Sequence, residues 1–246
     1  MRYGLAHLAQ IPQRAEAADT SELVNQVLYG EVFKVLERRR SWSRIRLSHD
    51  GYEGWVDNKQ YQLIEELQYD AFAKATPHIA VDFLSEIERN DYERFPVYLG
   101  STIRYPEQYQ GKAGAWNIPK AELQEVALYY SCAPYLWGGR TPAGIDCSGL
   151  TQMIYRIAGH SLPRDASQQV EEGVGLSFVQ EAEPGDLAFF DNDEGRITHV
   201  GMIMDNARII HAHGHVRIDV LDQTGIFNVD TGKHSHKLRI IKRIID

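Results

Sequence analysis

The 246-residue sequence predicts an α+β chain: a small β-barrel first, then helices followed by an antiparallel run of strands. Three stretches carry this expectation. Residues 31–56 alternate apolar and polar positions around an Asp-Gly turn. Residues 147–158 place apolar side chains at helical spacing. From Leu187 onward, short apolar runs follow one another between turns.

Composition sets the bounds. Hydrophobic residues make up 43% and charged residues 24%, the balance of an ordinary globular chain with room for one large or several small domains. A net charge of −8 argues against a nucleic-acid partner and offers no basic surface to anionic lipid. The two cysteines, Cys132 and Cys147, are too few for a disulfide framework and make no zinc motif. Residues 1–8 lack the apolar core of a signal peptide, and no run is long enough to span a bilayer. The expectation is a cytoplasmic protein without membrane contact, although a chain with its signal removed reads the same way.

Three segments are expected: 1–65, 66–117 and 118–246. In the first, Glu31–Leu36 reads as a strand, and Ser41–Leu47 alternates around Ile45 and Leu47. His49-Asp50-Gly51-Tyr52 is a hairpin turn, and Glu53–Val56 returns. Gly30-Glu31-Val32, Trp42 within a strand and Gly51-Tyr52-Glu53-Gly54-Trp55-Val56 resemble a bacterial SH3-like domain. Trp42 and Trp55 read as barrel core, with a ligand platform as the other reading of Trp55. In the second segment, 82–87 reads as a short helix and Phe95–Gly100 as a strand, and 105–114 is rich in turns. This segment reads as a second, degenerate barrel of the same type or a linker.

In the third segment Leu123, Val126, Ala127 and Tyr130 mark a helix of about ten residues. Gly138-Gly139 allow a tight turn. Asp146 is a good N-cap. Leu150, Met153, Ile154, Ile157 and Ala158 then describe one helix face that Gly159 stops. A polar stretch, 162–169, opens a further short helix. Strands are expected at 187–190, 197–204, 208–212, 216–220 and 237–245.

Cys147 therefore stands at the start of an amphipathic helix. Unpaired N–H groups and the positive end of the helix dipole favour a thiolate there, the form that attacks carbonyls. The alternative is a small buried hydrophobe. A cysteine nucleophile needs a base, and the base needs an orienting group. Of the ten histidines, His199 and His211 flank the turn at Asp205-Asn206. A hairpin centred on Asp205 sets them opposite each other, within one residue of register, at about 4.5–5.5 Å between Cβ atoms. His211, His213 and His215 could share one strand face as metal ligands, but Gly214 interrupts them and no carboxylate or cysteine completes the set. His234 and His236 read as exposed.

Tyr135-Leu136-Trp137-Gly138-Gly139, Asp146-Cys147-Ser148-Gly149-Leu150, Leu162-Pro163-Arg164-Asp165, Pro184-Gly185-Asp186-Leu187, His199-Val200-Gly201 and Ile210-His211-Ala212 occur in this order. Over 118–246 the chain resembles the NlpC/P60-type cysteine peptidases. The resemblance implies a papain-like core, with the cysteine helix packed on an antiparallel sheet. It also implies cleavage of bacterial stem peptides between γ-D-glutamate and the diamino acid, without metal or organic cofactor. On that basis Cys147 is the expected nucleophile, His199 the base and His211 the orienting residue. Tyr135 lines the pocket and helps meet the oxyanion, and Asp146 and Ser148 join it as substrate-binding residues.

The whole layout is similar to a subgroup with SH3-like domains ahead of the peptidase, which takes small free murein peptides with an unblocked L-alanine. There the Pro-Arg-Asp block reads the ammonium, which points to Asp165 with Ser167 beside it. Tyr52 and an early acidic residue, Glu16 or Glu22, would close the site. Asp165 also reads as a helix cap. Three alternatives stand beside this reading. One is a wall-remodelling endopeptidase that uses SH3-like domains to hold intact peptidoglycan. Another is a non-catalytic binding protein of the same fold, and the third an amidase or acyltransferase.

Overall fold

Short alternating strands dominate the first 65 residues of the computed structural model, which describes residues 1–114 and 118–245. The end of the second expected segment, residue 117, lies outside the described residues. The chain divides into two units, 1–116 with 137–141 and 117–136 with 142–246.

The first unit begins with β1 (Arg2–Ala6), β2 (Gln10–Arg14), β3 (Leu23–Leu28), β4 (Val32–Arg38), β5 (Trp42–Leu47), β6 (Glu53–Asp57) and β7 (Tyr61–Ile64). They form one antiparallel sheet in the order β3-β2-β6-β5-β4-β1-β7. β5 shows why the residues choose this state. Ser43, Ile45 and Leu47 point inward while Arg44 and Arg46 point out, and Arg46 grips Glu53 across the hairpin at 2.6–2.8 Å. Ile11, Val27, Phe33, Ile45 and Val56 form the core. Trp55 is buried, with the Arg39 guanidinium 4.1 Å from its ring centroid. Trp42 is half-buried.

Residues 66–114 depart from expectation. The expected helix at 82–87 is β9 (Leu84–Asn90). α1 (Glu66–Lys74) and β8 (Ile79–Ala80) precede it, and β10 (Glu93–Tyr98), β11 (Tyr109–Gln110) and β12 (Ala113–Gly114) follow. β9 pairs with both β10 and β11, and Ile87 is fully buried with Val97 and Ile103. Pairing on both sides overrides the local preference of a Ser-Glu-Ile-Glu stretch. α1 has no counterpart among the expected elements. It buries only Tyr69, which stacks on Tyr3 with centroids 4.5 Å apart, so its helical periodicity is faint. The unit also holds 137–141, including β13 (Arg140–Thr141). There Gly138 takes φ 76°, and a Cβ would lie 2.6 Å from the Leu23 carbonyl oxygen. Arg140 is buried against both Glu31 oxygens at 3.0 and 3.1 Å.

The second unit contains α2 (Leu123–Leu128), β14 (Gly144–Ile145), α3 (Cys147–Ile157), α4 (Ala166–Gln169) and β15 (Val174–Leu176). β16 (Leu187–Asp191), β17 (Ile197–Met204), β18 (Arg208–His213), β19 (His215–Leu221), β20 (Gly225–Asn228) and β21 (Lys233–Arg243) follow. The sheet order is β15-β21-β16-β17-β18-β19-β20, and β20 pairs back onto β21, so six antiparallel strands close a ring. Ala188, Phe190, Ile203, Ile209, Leu221 and Ile241 form a core in it. α3 packs on β17 and β18. Among the described residues no helix is long and apolar enough to cross a membrane.

Candidate active site

α3 starts at Cys147 because Asp146 caps it, accepting the Gly149 N–H at 2.7 Å. The cap is itself held. Arg164 is buried and forks onto Asp146, Nη1 to Oδ1 at 3.0 Å and Nη2 to Oδ2 at 2.6 Å. The same Nη1 donates to Ser148 Oγ at 2.9 Å. Asp146 and Ser148, expected to bind substrate, are thus both engaged inside the protein. Arg164 is the residue that the 162–165 block delivers to the cysteine helix, and it was not among the expected site residues.

The polar side of α3 is covered rather than solvated. Thr151 Oγ1 donates to Gln169 Oε1 at 2.7 Å, and Gln152 Nε2 donates to the Leu162 carbonyl at 3.0 Å. The residues that the amphipathic pattern assigned to solvent therefore lie under 162–169.

Asp165 is the N-cap of α4, with its N–H received by Gln168 Oε1 at 3.3 Å. Ser167 is exposed one position into that helix. Tyr135 is placed by its own backbone, whose N–H meets the Gly214 carbonyl at 3.0 Å. Its phenol is pushed up to about 12, first by burial and then by repulsion from the thiolate form of Cys147 and from the Asp146 carboxylate.

The histidine pair comes from β17 and β18. The hairpin is centred on Asn206, not Asp205, so His211 faces Gly201 and His199 lies diagonal to it. They still meet: His199 Nε2 and His211 Nδ1 are 2.8 Å apart. The missing side chain at Gly201 makes this possible, because a Cβ there would stand 2.9 Å from His211 Cβ and 2.8 Å from the Ile209 side chain. On its far side His211 Nε2 lies 3.0 Å from Asp219 Oδ2. Asp219 is fixed by Arg217 Nε and Nη2 at 2.8 and 2.9 Å and by the Val229 N–H at 3.0 Å.

These contacts assign the tautomers. Although burial works against it, hydrogen bonds from Arg217, Val229 and His211 hold the Asp219 carboxyl below its ordinary range, so it only accepts. His211 Nε2 must then carry the proton, which leaves the lone pair on Nδ1. His199 Nε2 donates to that lone pair, and His199 Nδ1 keeps a free lone pair, as a base requires. Asp219 escaped the sequence reading. The available signal was period-two spacing from Arg217 in the strand after His211, which puts a charged pair on one sheet face.

Burial holds His199 well below the usual imidazole range, and it pushes His211 down to about 4. The Cys147 thiol goes the other way. Burial and the Asp146 charge push it up to about 12, against hydrogen bonds from the Val200 and Ser148 backbone and the Arg164 charge. The helix-start position alone favoured a thiolate; here burial outweighs the helix end, and the resting thiol and imidazole are both neutral.

Two histidine expectations need correction. His213 and His215 lie on different strands, paired with each other across Gly214 (φ 74°), so the three residues 211, 213 and 215 share no single strand. His236 is not a free surface residue. β21 begins at Lys233 and pairs with β20, which carries His236 inward. There it stacks on His199 with centroids 4.1 Å apart and planes at 20°. His234 is exposed, bonded to Asp222 at 2.9 Å.

The remaining expected residues belong to the first unit. Tyr52 packs against the barrel core. Glu16 is exposed at a recess of about 310 Å³ shared with Arg39 and Trp55. Glu22 accepts the Trp137 indole N–H at 2.6 Å within the same unit, so of the two acidic candidates Glu16 is the one without that commitment.

Residues 132–233 match the NlpC/P60 family, and residues 14–60 match the bacterial dipeptidyl-peptidase Sh3 domain. The chain is similar to a gamma-D-glutamyl-L-lysine dipeptidyl-peptidase of Bacillus cereus, with 26% identity over 228 residues covering 79% of this chain and 68% of that one. A Bacillus subtilis protein of the same name is 28% identical over 215 residues, covering 76% and 71%. A crystal structure of an NlpC/P60 family protein from Bacillus cereus aligns with a TM-score of 0.81 at 17% identity, over 99% of this chain and 100% of that one, a likeness of fold.

Proposed function

The chain carries an NlpC/P60 cysteine-peptidase domain behind a bacterial SH3 domain, and from that premise we propose a substrate. It hydrolyses the bond between γ-D-glutamate and the following L-diamino acid, diaminopimelate or lysine, in free murein peptides that begin with an unblocked L-alanine. The observation that carries the reading is the relay Asp219–His211–His199, which leaves a lone pair on His199 Nδ1. It shares its unit with a cysteine at a capped helix start. The names of the two Bacillus relatives support the choice of bond.

His199 Nδ1 takes the Cys147 proton as Sγ attacks the γ-glutamyl carbonyl, so thiolate formation and attack are coupled. Backbone N–H groups at the start of α3 face the oxyanion, with the Tyr135 hydroxyl as a further donor. The imidazolium returns its proton to the leaving amine, and the γ-glutamyl group remains as a thioester on Cys147. His199 then takes a proton from water, hydroxide attacks the thioester, and Sγ leaves with that proton. His211 and Asp219 hold the ring while its charge rises and falls.

The Asp165 carboxylate is the proposed partner of the L-alanine ammonium. A half-buried carboxylate placed to meet a free ammonium favours it over a blocked amine, which offers no positive charge. The role that goes with such specificity is the recycling of released wall peptides.

The test is hydrolysis of L-Ala-γ-D-Glu-L-Lys and its diaminopimelate counterpart. Cys147→Ala and His199→Ala should each abolish it. Turnover by Cys147→Ala at the wild-type rate would reject the assignment, and activity confined to intact sacculi would select the wall-remodelling reading.

A further inference from the structure

His236 is half-buried against His199 and the peptidase reading leaves it without a task. Its ring lies parallel to His199, and one nitrogen each from His199, His211 and His236 lies within 4.8 Å of the others. All three side chains are at least partly buried. We propose that His199, His211 and His236 form a zinc-binding site whose occupancy switches the peptidase off.

Three neutral imidazoles are a donor set suited to zinc and similar borderline cations. Around a tetrahedral zinc with Zn–N bonds of about 2.0–2.1 Å, ligand nitrogens stand roughly 3.3–3.4 Å apart. The His199–His211 pair at 2.8 Å must open slightly, and the half-buried His236 must swing in.

A second observation points the same way. The outer nitrogen of His211 is held by Asp219, which is itself fixed by Arg217 and Val229. Metal-binding histidines are oriented by such a carboxylate, so His211 presents Nδ1 to the ion already in the required tautomer. The ring of His213 lies 4.9 Å from that of His236, so this histidine or water is at hand for a fourth ligand.

The consequence for catalysis follows from proton balance. Zinc takes the lone pair at His199 Nε2, so the proton there moves to Nδ1 and the ring stays neutral. His199 Nδ1 then carries a proton and no lone pair, and it cannot accept the proton of Cys147. The His199–His211 hydrogen bond is replaced by two metal–nitrogen bonds. No redox step is involved, and a chelator restores the original tautomer.

The inhibitory consequence rests on the peptidase reading; the binding does not, and the experiment separates them. Metal-free protein is titrated with zinc against a chromophoric chelator, as wild type, Cys147→Ala and His236→Phe. Phenylalanine keeps the stack on His199 but removes the ligand atom, and the thermal midpoint confirms the fold. Wild type and Cys147→Ala should each bind one zinc with equal affinity, and His236→Phe should bind at least about tenfold more weakly. In the peptide assay zinc should stop wild type, EDTA should restore it, and His236→Phe should need at least about tenfold more zinc. No retained zinc in wild type, or binding lost in Cys147→Ala and kept in His236→Phe, would overturn the site. A wild type that hydrolyses no murein peptide would refute the proposed function, while the titration still decides the zinc site.

Discussion

His211 Nδ1 lies 2.8 Å from His199 Nε2 although the two residues are not partners in the β17–β18 ladder, where His211 faces Gly201. The diagonal contact depends on the glycine. With any side chain there, Ile209 and His211 Cβ must move by several tenths of an ångström. Gly201→Ala should therefore lower kcat/KM by at least about tenfold and cost about 1–3 kcal/mol of stability from overpacking. Steady-state kinetics and urea unfolding check both effects. Unchanged kinetics with intact folding would show that the close approach is dispensable.

Asp219 holds the other end of the pair. In Asp219→Asn the amide can turn its NH₂ toward His211 Nε2, which reverses the tautomers and removes the lone pair at His199 Nδ1. The expected loss in kcat is on the order of 10²-fold or more, with little change in KM, because the residue positions the base and does not touch substrate. Asp230 also pairs with Arg217, at 2.8 Å, so an equal fall in kcat for Asp219→Asn and Asp230→Asn would mean that Arg217 anchoring matters, not the tautomer.

Arg164 bonds Asp146 and Ser148, the residues on either side of Cys147. Its removal in Arg164→Ala leaves the Asp146 carboxylate buried without its bidentate partner. Breaking a buried pair from one side costs about 3–5 kcal/mol. Urea denaturation should show a midpoint shift of that size. A shift below about 1 kcal/mol, the range of an exposed pair, would contradict the burial argument.

The histidines also set an acid limit. Burial depresses His211 to about 4 from an ordinary 6.5, and His199 moves in the same sense. As pH falls below 6.5 the unfolded chain binds protons that the folded protein refuses, so stability drops until the folded His211 titrates near 4. His211 alone accounts for on the order of 3 kcal/mol across that window. Stability by urea titration should therefore be level between about pH 7 and 8 and decline between pH 6.5 and 4, with a separate fall in alkali where the unfolded chain releases the Cys147 and Tyr135 protons that the folded protein keeps; a flat profile between pH 6.5 and 4 would contradict it. Because the resting thiol is neutral, alkylation of Cys147 by iodoacetamide should be slow at pH 7 and rise steadily toward alkaline pH. A rate already at its plateau at neutral pH would show a preformed thiolate.

Much of this site was legible from local pattern. Asp146 and the apolar positions from Leu150 to Ala158 define α3 and place Cys147, because capping and helical periodicity are properties of adjacent residues. The β17–β18 hairpin brought His199 and His211 within reach even with its centre one residue off. What stayed hidden depends on long-range pairing. Arg164 and Asp219 act across 18 and 8 residues respectively; the spacing of Arg217 and Asp219 marks a charged pair on one face, but the sequence around neither residue says which side chain across the fold it meets. The sequence pattern starts the last strand at Lys237 and leaves His236 exposed; closure of β20 onto β21 extends the strand to Lys233. β9 was read as helix for the same reason, since its two neighbouring strands are not visible from 82–87.

The most direct test of the account is product analysis by mass spectrometry on one tripeptide, L-Ala-γ-D-Glu-L-Lys, with its N-terminus free or acetylated. Wild type should release L-Ala-γ-D-Glu and lysine from the free peptide only, and Cys147→Ala should release neither. Equal cleavage of both forms would contradict recognition of the amine. Cleavage at any other bond, or cleavage by Cys147→Ala, would contradict the assignment of the reaction to Cys147.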